Sequence, residues 1–345
     1  MKLLVRATNW LGDAVMSLPA LREIRRVHAG WEIVILARPW VADLYGREGI
    51  CDRMLPYENT GRHAGILRRW RLSRELRTEG FDRAIFLPNS FDSALPAWLA
   101  GIPERIGYAR DRRALLLTTA PAPPKKGEIP AHERYYYLEM LRRAGLLEQV
   151  AECPEIRLAC SAQAAQAGRE YWSGKGEHGT RWVGVCPGAA NSRAKQWAPE
   201  RFAEAATEVA RKLNAKVVVF GSGSEVNLGQ SIVERVSVPA HNLAGQTTLR
   251  EFIDLTACCD VFLTNDSGGM HVAAALGVPT VVVFGPTNEL TTGPASSSAL
   301  VVREPVECSP CLLKVCPIDH RCMERVTASR VASEALVFLQ RTAMK

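Results

Sequence analysis

Thr264-Asn265-Asp266-Ser267-Gly268-Gly269-Met270-His271-Val272-Ala273-Ala274-Ala275 decides the fold class. The apolar run Val261-Phe262-Leu263 precedes it, and a second run, Thr280 to Phe284, follows. A strand that turns through Asp, Ser and two glycines into a small-residue helix is one unit of a parallel α/β sheet. The turn presents backbone N–H groups at the positive end of a helix, a place where phosphate binds. Some crossovers carry Asp and Gly for capping alone. Five such residues close together, Ser267 and His271 included, favour the anion site.

Outward from that stretch, strand-like and helix-like runs alternate almost throughout. The spacing predicts strands at Lys2–Ala7, Glu32–Ala37, Arg83–Leu87 and Arg105–Tyr108 in the first half. In the second half it predicts them at Trp182–Cys186, Lys216–Phe220, His241–Leu243, Val261–Thr264 and Thr280–Phe284. Each is short and apolar on both faces, as buried parallel strands are. Helices fit Asp13–Arg26, Gly65–Glu79, Ser90–Ala100 and His132–Ala144, and then Ala162–Ser173, Pro199–Leu213, Glu225–Val236, Leu249–Cys258 and Gly269–Leu276. Pro19 inside the first of these predicts a kink. The proline-rich stretch Leu117–Ala131 is a long loop, and a linker falls near Ala151–Ala159.

Two Rossmann-like α/β domains follow, residues 1–155 and 156–327, with an amphipathic C-terminal helix in 328–345. A ligand is expected between their strand ends.

At 345 residues the chain is long for a single core. No apolar run reaches membrane-span length, and Arg6 and Gly12-Asp13 break any signal-peptide layout, so a cytoplasmic protein is expected. The net charge of +7 points to an acidic partner. Its cations cluster in the first half, at Arg62, Arg68, Arg69, Arg71, Arg74 and Arg77, and again from Arg105 to Lys126. Solvated helix faces are the common reading of such runs; an anionic substrate or membrane surface is the other. No nucleic-acid reading motif accompanies the charge, which argues against DNA or RNA.

Six of the ten cysteines are scattered and four are not: Cys308, Cys311, Cys316 and Cys322 share a C-x2-C-x4-C-x5-C segment with Pro310, Pro317 and His320. Two thiolates from one turn and two more nearby make a four-ligand structural site for zinc or iron. Reduced thiols or a pair of local disulfides are the alternatives.

Three further segments carry chemistry. Asp13 in Asn9-Trp10-Leu11-Gly12-Asp13 follows the first strand, and either caps the helix or serves as a general base. The small-residue loop Pro187–Trp197 contains Lys195, an ammonium suited to a diphosphate; it lacks Walker A spacing. Glu225 ends Gly221-Ser222-Gly223-Ser224-Glu225 and either accepts from a ribose or supports the helix dipole. No Asp-x-Asp occurs, so diphosphate stabilisation is expected from Lys195 and the Gly268 helix start without metal.

Together these segments resemble the lipopolysaccharide heptosyltransferases, glycosyltransferase family 9, of the GT-B architecture. The likeness runs through Asn9–Ser17, Leu87–Ala94, Ala100–Pro103, Pro187–Ala189, Ala194–Trp197, Thr264–Ala275 and Phe284–Thr287. It implies a metal-independent, inverting enzyme that moves L-glycero-D-manno-heptose from ADP-heptose to the first heptose of the inner core, on heptosyl-Kdo-lipid A. The implied catalytic residues are Asp13 as base and Lys195 on the leaving group. Gly12, Lys195, Glu225, Thr247, Thr248, Asp266, Ser267, Gly268 and His271 are implied at the donor. Asn89, Ser90, Arg110, Arg112 and Arg113 are expected at the anionic acceptor, with peripheral contact at the cytoplasmic face of the inner membrane.

Gly269, where the family more often has Leu, and the four-cysteine segment are departures from the family pattern. Rival readings are a relative with another donor or acceptor, an idle sugar-nucleotide binder, and a nucleic-acid binder using the cysteines as a zinc knuckle.

Overall fold

The computed structural model describes residues 1–58, 66–153, 155–190 and 192–343. Arg62, Gly65, Asn191 and the side chain of Arg68 lie outside the described residues. The chain divides into two units, Met1–Cys153 and Pro154–Lys345. The expected domain boundary falls two residues later.

The first unit holds β1 (Lys2–Arg6), β2 (Glu32–Ala37), β3 (Arg53–Pro56), β4 (Arg83–Phe86) and β5 (Glu104–Ile106). They form one sheet in the order β3-β2-β1-β4-β5, parallel throughout. The second unit holds β6 (Trp182–Cys186), β7 (Lys216–Val219), β8 (Ala240–Asn242), β9 (Val261–Asn265), β10 (Thr280–Phe284) and β11 (Ala299–Arg303). Their order is β11-β10-β9-β6-β7-β8, again parallel. In each sheet the winding reverses once, between β1 and β4 and between β6 and β9. Ligands of doubly wound sheets bind at the carboxyl ends of the strands flanking such a reversal.

Continuous Val, Ile and Leu runs form these strands because both faces are covered by helices. Leu4, Val34, Ala84 and Phe86 share one core with Leu72 and Leu76. In the second unit Val183, Val217, Leu263 and Val281 pack with Phe202, Val209, Val331 and Ala335. The C-terminal helix Ala328–Ala343 therefore belongs to this core and is not a separate segment. The later part of the expected linker is likewise part of the second unit: Ile156 and Leu158 are buried, their N–H groups donating to the Ala295 and Ala275 carbonyls.

Two edge strands, β3 and β11, and the helix Pro39–Tyr45 were not anticipated. β3 has polar or exposed ends around Met54-Leu55 and lacks the apolar run that marks a central strand, whereas β11 carries the run Ala299–Val302 but lies half-buried at the sheet edge. The short helix does carry a signal, Pro39 at its first position. The helix Leu11–Val27 runs unbroken through Pro19.

Candidate functional site

In the first unit the site is built at the carboxyl ends of β1 and β4. Arg6, the last residue of β1, is buried, and burial lowers its pKa to about 10. Its guanidinium donates to the Asn9 side chain at 2.7 Å, and Trp40 Nε1 donates to the Asn9 carbonyl at 3.0 Å. These contacts fix the turn that delivers Asp13. The helix is capped at Trp10, without a side-chain cap, so Asp13 lies in its first turn and the N-cap reading is corrected.

Asp13 opens instead onto a cleft of about 410 Å³ lined also by Thr8, Asn89, Ser90, Arg110, Glu133 and Tyr136. Asn89 Nδ2 donates to Tyr136 Oη at 2.9 Å, while its Oδ1 is buried without a partner. Glu133, which the sequence did not single out, sits in the same cleft. Burial, and then the charge of Asp13, raise its carboxyl above the ordinary range. A carboxylate that opens on a polar cleft is placed to take a proton from a sugar hydroxyl.

The expected acceptor cations separate. Arg110 lines the cleft. Arg112 is exposed in a left-handed turn outside that lining. Arg113 is fully buried and is corrected to a structural role. It donates to the Tyr108 and Pro88 carbonyls and to Ser93 Oγ, and burial lowers its pKa to about 10. It holds the Pro88–Asn89 turn and does not meet solvent.

In the second unit the corresponding place is the pair of ends of β6 and β9. Asn265 ties them: its Nδ2 donates to the Pro187 carbonyl at 2.6 Å, and its Oδ1 accepts from the Trp197 N–H at 3.1 Å. This clamp, missed in the sequence, brings the Lys195 loop against Asp266. Lys195 Nζ stands 2.8 Å from Asp266 Oδ2, which also accepts from Thr287 Oγ1 at 2.5 Å. The helix Gly268–Ala275 begins beside them at Ser267, with no side chain capping its N–H groups. A positive helix end next to an ammonium is an anion site.

His271 is buried in that helix. At Gly269 a Cβ would lie 3.0 Å from Cys186 Sγ, so the thiol occupies the room a larger residue would need. Burial, and then the Glu225 charge, push that thiol up to about 12, which keeps it neutral beside the anion site.

Glu225 meets the Pro187–Trp197 loop directly. A Cβ at Gly188 would fall 1.9 Å from Glu225 Oε1, so only glycine admits the carboxylate there. Its Oε2 accepts from the Ser222 N–H at 2.7 Å as half of a capping box. Thr248 caps the helix Leu249–Ala257 in the same way, paired with Glu251, and Thr247 precedes it half-buried.

The cysteine segment packs on this site. The Ala194 N–H donates to the Lys314 carbonyl at 3.0 Å, and His320 Nε2 lies 2.7 Å from the Ala194 carbonyl. On the other side the Leu312 N–H donates to the Pro286 carbonyl, next to Thr287. Cys308, Cys311 and Cys316 lie near enough to Cys322 for their charges to raise its pKa, after burial. Yet Cys308 and Cys311 are exposed and Cys322 is buried. The sulfurs do not share one depth, and among the described residues no group of three or more ligating side chains is placed to hold a metal ion.

Residues 69–321 match the model of glycosyltransferase family 9 (heptosyltransferase). The chain belongs to glycosyltransferase family 9. Among its relatives, lipopolysaccharide heptosyltransferase 2 of Escherichia coli is 32% identical over 309 residues, 88% of each chain. The solved E. coli ADP-heptose lipopolysaccharide heptosyltransferase II superposes with a TM-score of 0.78 at 30% identity, covering 99% of this chain and all of that one. A family 9 glycosyltransferase from Veillonella parvula shares the fold, with a TM-score of 0.83 at 22% identity. The two parallel-sheet units are thus those of a GT-B enzyme. The family 9 match takes in Lys195, Glu225 and Asp266–His271; Asp13 lies before it, within the span of the E. coli structural match.

Proposed function

We propose that this family 9 enzyme transfers L-glycero-D-manno-heptose from ADP-heptose to the first heptose of heptosyl-Kdo-lipid A, with inversion. The observation that carries the donor half is the Lys195–Asp266–Thr287 cluster at the start of the helix Gly268–Ala275, on the winding reversal of its sheet. The acceptor half rests on Asp13 in a cleft rich in hydrogen-bonding groups.

In the step, Asp13 takes the proton of the acceptor hydroxyl as that oxygen bonds to the anomeric carbon. The bond from that carbon to the ADP oxygen breaks with its electron pair going to ADP. Lys195 and the helix N–H groups hold the charge that develops there. Glu225, Thr247, Thr248, Ser267 and His271 complete the donor contacts in this reading, and Asn89, Ser90 and Arg110 those of the acceptor. No metal enters the transfer.

A structural zinc or iron on Cys308, Cys311, Cys316 and Cys322 is a separate proposal, supported by their spacing. Loading would draw the exposed thiols inward and stiffen the support of the Lys195 loop.

The enzyme acts at the cytoplasmic face of the inner membrane as a peripheral protein in this reading; among the described residues no helix is long and apolar enough to cross a membrane. Calorimetry with ADP-heptose, ADP and UDP tests the donor half. Binding of the two adenine nucleotides with UDP far weaker is expected, and equal binding of UDP would overturn it.

A further inference from the structure

The helix Glu133–Arg143 packs on the helix Leu11–Val27, and the two present their first turns to one cleft. Asp13 stands in the first turn of one, and Glu133 is the first residue of the other. Glu133, Tyr136 and Tyr137 follow the i, i+3, i+4 spacing of a single helix face, and all three line the cleft. That face is held in place. His132 caps the helix by accepting from the Arg134 N–H at 3.2 Å, and Tyr108 Oη donates to the Tyr136 carbonyl at 3.0 Å. A capped and packed helix therefore delivers the Glu133 carboxyl, with no mobile loop between it and the core.

Within the cleft two acceptor groups stand without donors. The Tyr136 hydroxyl receives Asn89 Nδ2 at 2.9 Å and also hydrogen-bonds Arg110. Asn89 Oδ1 points away from that bond, buried and without a partner. Glu133 accepts no hydrogen bond from a described residue, although burial is the first cause of its raised pKa. Buried polar groups are normally paired. An unpaired amide oxygen and an unpaired carboxyl in one cleft mark the place where a ligand brings donors.

Charge decides which donors. Arg110 is the one cation that the described lining holds, and its guanidinium is engaged on Tyr136. Arg113 is occupied by the Tyr108 and Pro88 carbonyls, and Arg112 lies outside the lining. Two carboxyl groups against one engaged cation do not suit a phosphate or a carboxylate. They suit sugar hydroxyls, which donate to a carboxyl in either of its charge states.

We propose that Glu133 is a positioning residue of the transfer: it accepts from a hydroxyl flanking the one that Asp13 deprotonates, and so sets the acceptor sugar's angle of attack. Asn89 Oδ1 accepts from the same sugar on the β4 side of the cleft. The inference rests on the reading of a sugar acceptor, and it names the side chain that orients it. Orientation of the attacking oxygen is part of the rate, so the contact shows in kcat as well as in KM.

Acceptors that lack one flanking hydroxyl at a time, run with wild type, Glu133→Ala and Glu133→Gln, test it. On the complete acceptor Glu133→Ala should lower kcat/KM by about tenfold or more. Glu133→Gln keeps a carbonyl oxygen in the same place and should recover most of that loss. On the deoxy acceptor that lacks the contacted hydroxyl, wild type and Glu133→Ala should transfer equally, because the contact is already gone. ADP affinity by calorimetry should be the same in all three proteins, which also shows the variants to be folded. An equal loss in Glu133→Ala on every deoxy acceptor, or a Glu133→Gln as slow as Glu133→Ala, overturns the proposal. So does a fall in ADP affinity in Glu133→Gln, which would set the residue on the donor side. Wild type idle on the complete acceptor overturns the proposed reaction and this inference with it, whereas transfer by wild type without the coupling strikes Glu133 alone.

Discussion

Lys195 and Asp266 form a 2.8 Å ion pair whose acid is buried and whose base is part exposed. The carboxylate is therefore the fixed partner: Thr287 Oγ1 holds it from one side, and Asp266 in turn holds the ammonium at the start of a helix. An arriving diphosphate meets a cation already in place, which lowers the ordering cost of binding.

Lys195→Ala should weaken ADP binding by about tenfold or more and slow transfer, since a cation at a diphosphate is worth roughly 1.5–3 kcal/mol as a charged hydrogen bond. Titration calorimetry reads the affinity. Unchanged affinity would place the diphosphate elsewhere.

For Asp13→Asn the expected outcome is normal ADP affinity with turnover lower by about 10²-fold or more, the usual cost of a lost general base. Asn preserves the shape of the first turn, and Trp10, not Asp13, is the cap. Turnover within a few-fold of wild type would reduce Asp13 to a lining residue.

Glu133 adds a pH dependence. Its carboxyl is held up by burial first and by the Asp13 charge second. Asp13→Asn removes the second cause, so Glu133 should titrate at lower pH in that variant than in wild type, which its carboxyl carbon resonance reads. A Glu133 titration that stays put, or moves to higher pH, contradicts the coupling.

How much of this was legible in the sequence follows from burial. Central strands such as β6 and β10 carry unbroken apolar runs and match their expected spans. Edge strand β3 carries only Met54-Leu55 and did not show, while β11 carries the short run Ala299–Val302 and was overlooked between Ser296-Ser297-Ser298 and Glu304-Pro305. Lys195 and the Asp266 turn stand out because cations and glycines beside strand ends have few structural uses. Arg113 looked the same as Arg110 and Arg112 on paper; only the fold shows it enclosed by carbonyl groups. Asn265 and Glu133 were missed because each acts on a partner remote in the chain: Asn265 on the Pro187–Trp197 loop, Glu133 on Asp13.

Transfer should persist in excess EDTA, because Lys195 and the helix start supply the positive charge; loss on chelation with rescue by magnesium would contradict this. Metal analysis of untagged protein should find about one zinc or iron, the content of a four-thiolate site. Less than a tenth of an equivalent, with four titratable thiols in residues 308–322, would end that proposal.

The measurement closest to the central claim is the mass of the product formed from ADP-heptose and heptosyl-Kdo-lipid A, with the same acceptor lacking its heptose run alongside. The account predicts one added heptosyl unit on the first acceptor, none on the second, and none with Asp13→Asn over the same time. Addition to the heptose-free acceptor, or full product from Asp13→Asn, would contradict it.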